Sequence, residues 1–475
     1  MKLPEGFVAV VKRDCPTCVL VEPVLQEIAR GGLPLTVYTQ DDPSFPKLDR
    51  VLDDTSLERS FRLDIETVPT LIQVENGEER SRVIGWAREE WTALTGLENI
   101  GMDLPPNRPG CGSLSVEPAN AEKLALRFGD ISIHSRRIAI PEMEDDIEYC
   151  FERGWSDGLP LVPPTEERVY RMLQGARRRS DELLGEVPPV LVSLTIEKVA
   201  VNAVMAGCKP EYLPVVIAAT EAALDPAFCM HGLLATTWFS GPLVVVNGPV
   251  RKSIGMNWQG NVLGQGNRAN ATIGRALQLI IRNVGGGRPQ EADQSTFGTP
   301  GKYTFCFAED EDTPWLSLSE ERGFGTDQST VTLFSADGVQ GVLDQKARAP
   351  EPLIKSIAQS LRTVGHADLV NGSDAVVVIG PEHGRVFDEA GWSKIQAVEA
   401  LHAQLGVRGD DLAMGTDEDA PRTTASAGGM MPKFRPEGLT LIRAGGRAGL
   451  FSAIIPGWLM KGPLGTDPVT KEILS

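Results

Sequence analysis

The chain opens on an unbroken apolar run, Phe7-Val8-Ala9-Val10-Val11, of the length expected for a buried strand. The stretch Val19-Leu20-Val21-Glu22-Pro23-Val24-Leu25-Gln26-Glu27-Ile28-Ala29 reads as a helix with a proline inside it. A second apolar strand, Val68-Pro69-Thr70-Leu71-Ile72-Gln73-Val74, runs into the turn Asn76-Gly77 and a short return strand ending at Gly85-Trp86. The pattern then breaks. Met102-Asp103-Leu104-Pro105-Pro106-Asn107-Arg108-Pro109-Gly110 is too rich in proline for regular structure and reads as a connector.

Beyond the connector, helices alternate with short buried strands. One helix is expected from near Met143, carrying Ile147 and Phe151, and another after Thr165, a good N-cap with Glu167 in the first turn. Residues 196–206 and 211–224 read as helices. Pro242-Leu243-Val244-Val245-Val246 and Asp374-Ala375-Val376-Val377-Val378-Ile379 read as strands, ending at Asn247-Gly248-Pro249 and Gly380-Pro381. This repetition predicts two α/β units, an internal duplication, meeting near 340–370. A third strand, Leu439-Thr440-Leu441-Ile442-Arg443, leads into Ala444-Gly445-Gly446-Arg447-Ala448-Gly449. Ligands of α/β sheets bind beyond the carboxyl ends of strands, so these three loops are the expected place for a second site. The expected class is α/β: domain 1–100, a connector 101–120, and a large domain 121–475.

A length of 475 residues suits about three domains. The formal charge of -18 argues against nucleic acid or an anionic membrane as partner. No signal peptide or apolar run long enough to span a bilayer is evident, and seven cysteines form no disulfide framework. A reducing cytoplasm is the expected location.

The first candidate chemistry is Cys15-Pro16-Thr17-Cys18, set where the first strand meets the first helix. Two cysteines at this spacing can cycle between dithiol and disulfide, and the helix N-terminus lowers the pKa of the first thiol. Half a zinc site is the alternative, but no second CxxC or HxxxH completes one. No further cofactor and no metal are expected.

Taken with Pro23, Val68-Pro69-Thr70 and the closing hairpin, the first hundred residues resemble the thioredoxin family. The resemblance implies that Pro69 is cis and packs beside Cys15, and that Val68 offers backbone groups to an extended substrate. Asp14 replaces the usual tryptophan and Ala9 the usual buried acid, which favours a reductant of one dedicated target over a general oxidase. A degenerate domain kept for docking is the competing reading. Cys111, in Arg108-Pro109-Gly110-Cys111-Gly112-Ser113, is flanked by glycines and is expected to exchange electrons with the CxxC pair.

In the large domain, Asn267, Arg268, Asn270 and Arg275 lie in a glycine-rich stretch opening a helix. They are candidate donors to a carboxylate or phosphate, or else ordinary packing groups. Pro300 to Glu309 reads as a strand with Thr304, Cys306 and Ala308 on one face and Glu309 on the other. Cys306 and Glu309 are further candidates. Of five histidines, His383 is the best placed acid–base candidate and His231, beside Cys229, the next. Trp155 to Thr165, Gly264 to Arg275, Lys302 to Glu309 and Ala444 to Trp458 resemble a bacterial family associated with UGSC-type (seleno)proteins. That resemblance implies redox or organosulfur chemistry by association.

Together these observations predict a thiol-dependent oxidoreductase in which Cys15 attacks, Cys18 resolves and electrons pass to Cys111 or to a small anionic or organosulfur substrate. A thiol reductase or a UGSC-type protein is the expected partner, and self-association is compatible with the chain. A lyase or sulfur-transfer enzyme with a regenerating thioredoxin-like part is the second reading. A binding or assembly protein is the third.

Overall fold

The computed structural model describes residues 2–141, 144–365, 370, 373–408, 429–458 and 465–474. The chain is mixed α/β and divides into two compact units, Met1–Ser132 and Ile133–Ser475. Met143, the expected helix start, lies outside the described residues; the helix itself runs Asp146–Glu152 behind an Asp145 cap. Among the described residues no single helix is long and apolar enough to cross a membrane.

In the first unit, β1 (Gly6–Val11) is central. Strand β2 (Leu35–Thr39) runs parallel to it and β3 (Val51–Asp53) parallel to β2. On the other side β5 (Thr70–Glu75) is antiparallel to β1 and β6 (Glu78–Ile84) antiparallel to β5. Residues Val8 to Val11 are wholly buried, which is why this strand shows no polar alternation. Helix α1 (Pro16–Arg30) buries Cys18, Val21, Val24, Leu25 and Ile28, one stripe at helical spacing, and carries Pro23 inside it. Helices α2 (Glu58–Arg62) and α3 (Arg88–Thr95) complete this part.

The segment read as a connector is built into the unit instead. Strand β8 (Asn107–Arg108) pairs with β7 (Trp86–Ala87), and β9 (Cys111–Gly112) pairs with β4 (Thr67–Val68). Just beyond, Gln40 Nε2 donates to Ser60 Oγ at 2.7 Å and Ser113 Oγ at 2.6 Å, while its Oε1 accepts from Leu114 N at 3.1 Å. Buried groups so paired are costly to separate, which anchors the chain after Cys111. Helix α4 (Pro118–Phe128) then brings Phe128 to 6.4 Å from Phe61 of α2. The first unit therefore extends to Ser132, past the expected limit at 100. Its proline content disfavours helix but does not prevent pairing to strand edges already present.

The second unit begins with α5 (Asp146–Glu152), α6 (Glu166–Leu173), the hairpin β10 (Leu183–Val187) and β11 (Val192–Thr195), α7 (Ile196–Ala206), α8 (Leu213–Leu224) and α9 (Met230–Ala235). Strand β12 (Gly241–Asn247) is followed by α10 (Val250–Ser253), α11 (Arg268–Asn283), β13 (Cys306–Ala308), α12 (Leu318–Glu321), β14 (Thr330–Ala336) and β15 (Gln340–Leu343). After α13 (Pro350–Leu361) come β16 (Ser373–Ile379), α14 (Pro381–Glu389), α15 (Lys394–Gln404) and the pair β17 (Gly406–Arg408) and β18 (Met430–Pro432). Strands β19 (Phe434–Arg443), β20 (Phe451–Pro456) and β21 (Val469–Glu472) close the chain.

Two four-stranded sheets result, β13-β12-β14-β21 and β19-β16-β20-β15. They share one pattern of directions. β12 is parallel to β13 and antiparallel to β14, and β14 is antiparallel to β21. Likewise β16 is parallel to β19 and antiparallel to β20, and β20 is antiparallel to β15. Leu243, Val245, Phe307 and Phe334 of the first sheet share a core with Val376, Val378, Ile442 and Ile455 of the second. Helices α8 and α11 cover the first sheet, and α13 and α15 the second. The two halves exchange edge strands, because β15 follows β14 yet joins the second sheet, and β21 follows β20 yet joins the first. A single boundary near 340–370 therefore does not separate them.

The expected long strand at Pro300–Glu309 is shorter. Pro300–Lys302 is a 3-10 turn and only Cys306–Ala308 is strand, with all three residues buried. Lying beside β12 buries both faces, so the expected alternation does not apply.

Candidate functional site

Cys15 is the N-cap of α1, and its Sγ accepts from the backbone N–H of Cys18 at 3.3 Å. Both Cys15 and Cys18 are completely buried, whereas Cys111 is half-buried. The Val68–Pro69 peptide is cis. Cys111 lies opposite Val68 across the β4–β9 pair, and Cys15 Sγ stands 3.5 Å from Val68 O. Cys15, Cys18, Cys111, Val68 and Pro69 thus lie in one place.

Three features hold Cys111 there. Thr17 Oγ1, inside the CxxC motif, donates to Pro109 O at 2.7 Å. Ser113 N donates to Glu66 O at 2.9 Å. At Gly110 an added Cβ would stand 2.4 Å from Thr67 Cγ2 and 2.7 Å from Val68 O, so only glycine lets the strand approach this closely. Thr17 and Gln40, which hold this segment, are positions that the sequence did not single out; their partners are some seventy to ninety residues away and left no local signal.

The electrostatics separate the three thiols. Hydrogen bonding from Cys18 is the largest influence on Cys15; with help from Cys111 and the backbone N–H groups of Thr17 and Cys18, it overcomes burial and lowers the pKa to about 5. Burial pushes Cys18 strongly up, and its hydrogen bond to Cys15 adds to this. Cys111 is also raised, first by donating to Cys15 and then by burial. The charge therefore sits on Cys15, with a thiol on either side.

The second unit disposes of its candidates differently. Asn267 caps α11 through Asn270 N at 3.0 Å, and Arg268 Nε donates to Gly207 O at 2.9 Å. Asn270 clamps the backbone of Asn257, donating to its carbonyl and accepting from its N–H, both at 2.9 Å. Arg275 forms a two-pronged pair with Asp157 at 2.7 and 2.8 Å. These four build the loop rather than present a free cradle. His383 is wholly buried between Ser452 Oγ at 2.8 Å and Asp344 O at 3.0 Å, a packing position with no access to a reactant. His231 is exposed on α9.

Cys306 is buried and its pKa is raised by desolvation, with Cys208 nearby raised to about 12 for the same reason, so neither is a nucleophile. Glu309 is buried and raised by desolvation despite Lys394; it accepts from Asn247 Nδ2 at 2.6 Å and Leu318 N at 2.8 Å. It joins α12 to the sheet.

Of the three expected loops, those at Gly380-Pro381 and Ala444–Gly449 meet, with Gly445 against Gly380 and Pro381; Gly445 N also donates to Trp258 O at 3.0 Å, in the segment beyond Asn247-Gly248-Pro249. No family model matches the chain, and no curated protein or solved structure matches it.

Proposed function

We propose that the first unit is a thioredoxin-type thiol centre that reduces its own Cys111. The observation that carries this reading is Cys111 set opposite Val68 in the β4–β9 pair, with Val68 O 3.5 Å from Cys15 Sγ and the Cys15 pKa lowered to about 5. Cys15 is buried, so an external disulfide meets Cys111 before it meets Cys15. The backbone edge of Val68, which an extended polypeptide would use, is taken by the chain itself. A small thiol compound fits the remaining access.

The cycle begins when Cys111, losing its proton to solvent, attacks an external disulfide R–S–S–R; the S–S bond breaks, RS⁻ leaves and Cys111–S–S–R forms. Cys15 thiolate attacks the Cys111 sulfur, the bond to R breaks, and RS⁻ leaves with the electron pair and takes a proton from water. Cys18, losing its proton to solvent, then attacks Cys15. A Cys15–Cys18 disulfide forms and Cys111 is released as a thiol. The two electrons come from the CxxC pair, and an external dithiol reductant restores it. Burial, and then the hydrogen bond to Cys15, keep Cys18 protonated; the second of these causes is removed once Cys15 is bonded to Cys111.

The reading is tested by charging Cys111 with thionitrobenzoate and following release of the coloured thiol. Release is expected to be first-order, independent of protein concentration and abolished by Cys15→Ser. Release that persists unchanged in Cys15→Ser would overturn it.

A further inference from the structure

A cleft of ≈ 500 Å³ in the second unit lies between α9, the end of α11 and the segment before β13, with Gln278, Arg282, Asp293 and Lys302 in its wall. Gln278 and Arg282 stand four residues apart on α11 and so share one face. Gln278 Nε2 and Arg282 Nε are both buried and have no hydrogen-bond partner within the protein. Arg288 Nε is in the same condition.

Two of the carboxylates near this cleft are already committed, and a third that acts on Arg282, Glu291, is exposed. Asp293 takes Lys302 Nζ at 2.7 Å and Asp157 takes Arg275 at 2.7 Å. Arg282 makes no ion pair among the described residues. Its pKa is lowered, first by burial and then by the neighbouring Arg288 guanidinium. A buried donor left unmade is costly, and two adjoining cations add repulsion. Both penalties disappear if an anion enters.

We infer that this cleft binds a small organic carboxylate with an apolar body. The planar guanidinium fork of Arg282 matches a carboxylate, with the Gln278 amide as a further donor. Leu233, Leu234 and Ile281 line the same cleft and receive the apolar part. This site is separate from the anion cradle expected at Asn267 to Arg275, whose side chains serve the fold. It is independent of the thiol chemistry.

Isothermal titration of the full chain with benzoate tests the inference, using benzamide as a neutral isostere and inorganic phosphate as a compact anion. Benzoate is expected to bind saturably and benzamide not at all. Arg282→Gln is expected to weaken benzoate at least ~10-fold, the scale of a lost charge-assisted hydrogen bond. Arg268→Gln, on the exposed start of α11, should leave binding unchanged. If Arg282→Gln loses its native circular dichroism, Gln278→Leu replaces it, with weakened benzoate binding expected. No saturable benzoate binding, or equal binding by the folded variant, overturns the proposal. Phosphate binding more tightly than benzoate overturns the ligand class.

Discussion

Cys111 lies directly opposite Val68 in the β4–β9 pair, and Val68 O is also the carbonyl 3.5 Å from Cys15 Sγ. One residue of the cis-proline turn therefore positions both partners of the proposed exchange. In the proposed exchange Cys111 is an internal substrate, placed by backbone pairing rather than by side-chain recognition.

The Cys15 pKa of about 5 makes the thiolate about a hundredfold more abundant than the thiol at neutral pH. Following thiolate ultraviolet absorbance against pH should show this low midpoint. Cys18→Ala should move it up furthest, because the Cys18 hydrogen bond is the largest cause; Cys111→Ala should move it up less. The depressed pKa contributes stability that is present above the ordinary thiol range and is lost as pH falls through about 5. Cys18 and Cys111, both raised, act with the opposite sign: their contribution is present below the ordinary range and fades as pH rises beyond it.

Gly110 controls the fit of the Cys111 strand. Gly110→Val should cost about 1–3 kcal/mol through overpacking against Thr67 and Val68. Urea denaturation measures that loss. The displaced strand should also slow thionitrobenzoate release from Cys111 and, by uncovering Val68, raise the rate of insulin reduction relative to wild type.

Much of this site was legible along the chain. The apolar run to Val11, the CxxC at a strand–helix junction and Val68-Pro69 are local patterns, and local patterns survive in a sequence. The placement of Cys111 between glycines was a fair guide to its access. Pairing of residues 107–112 to two strand edges was not legible, since proline content says only what a segment avoids. The exchange of β15 and β21 escaped for a related reason. Each is a four-residue strand whose partner is set by tertiary packing. His383 shows the reverse error: a strand-end histidine suggests catalysis, but complete burial between Ser452 and Asp344 makes it structural.

Asp337 gives an independent check on the second unit. Burial raises its pKa to about 6, although the Ser240 hydroxyl and Trp238 Nε1 donate to it. A raised carboxyl contributes stability present below its unfolded pKa and lost as pH rises through about 6. Asp337→Asn should remove that loss. Chemical denaturation should show the variant gaining on wild type by up to about 3 kcal/mol between about pH 4 and pH 8.

The central claim is that Cys15 and Cys111 exchange electrons directly. The most direct measurement is peptide mapping by mass spectrometry of the Cys18→Ser chain after exposure to oxidised dithiothreitol. The two thiols should pass two electrons to the reagent and form an intramolecular Cys15–Cys111 disulfide in the monomer, reversed by reduced dithiothreitol. A native-like Cys18→Ser chain that keeps both thiols free, or joins Cys15 only to other molecules, would contradict the account.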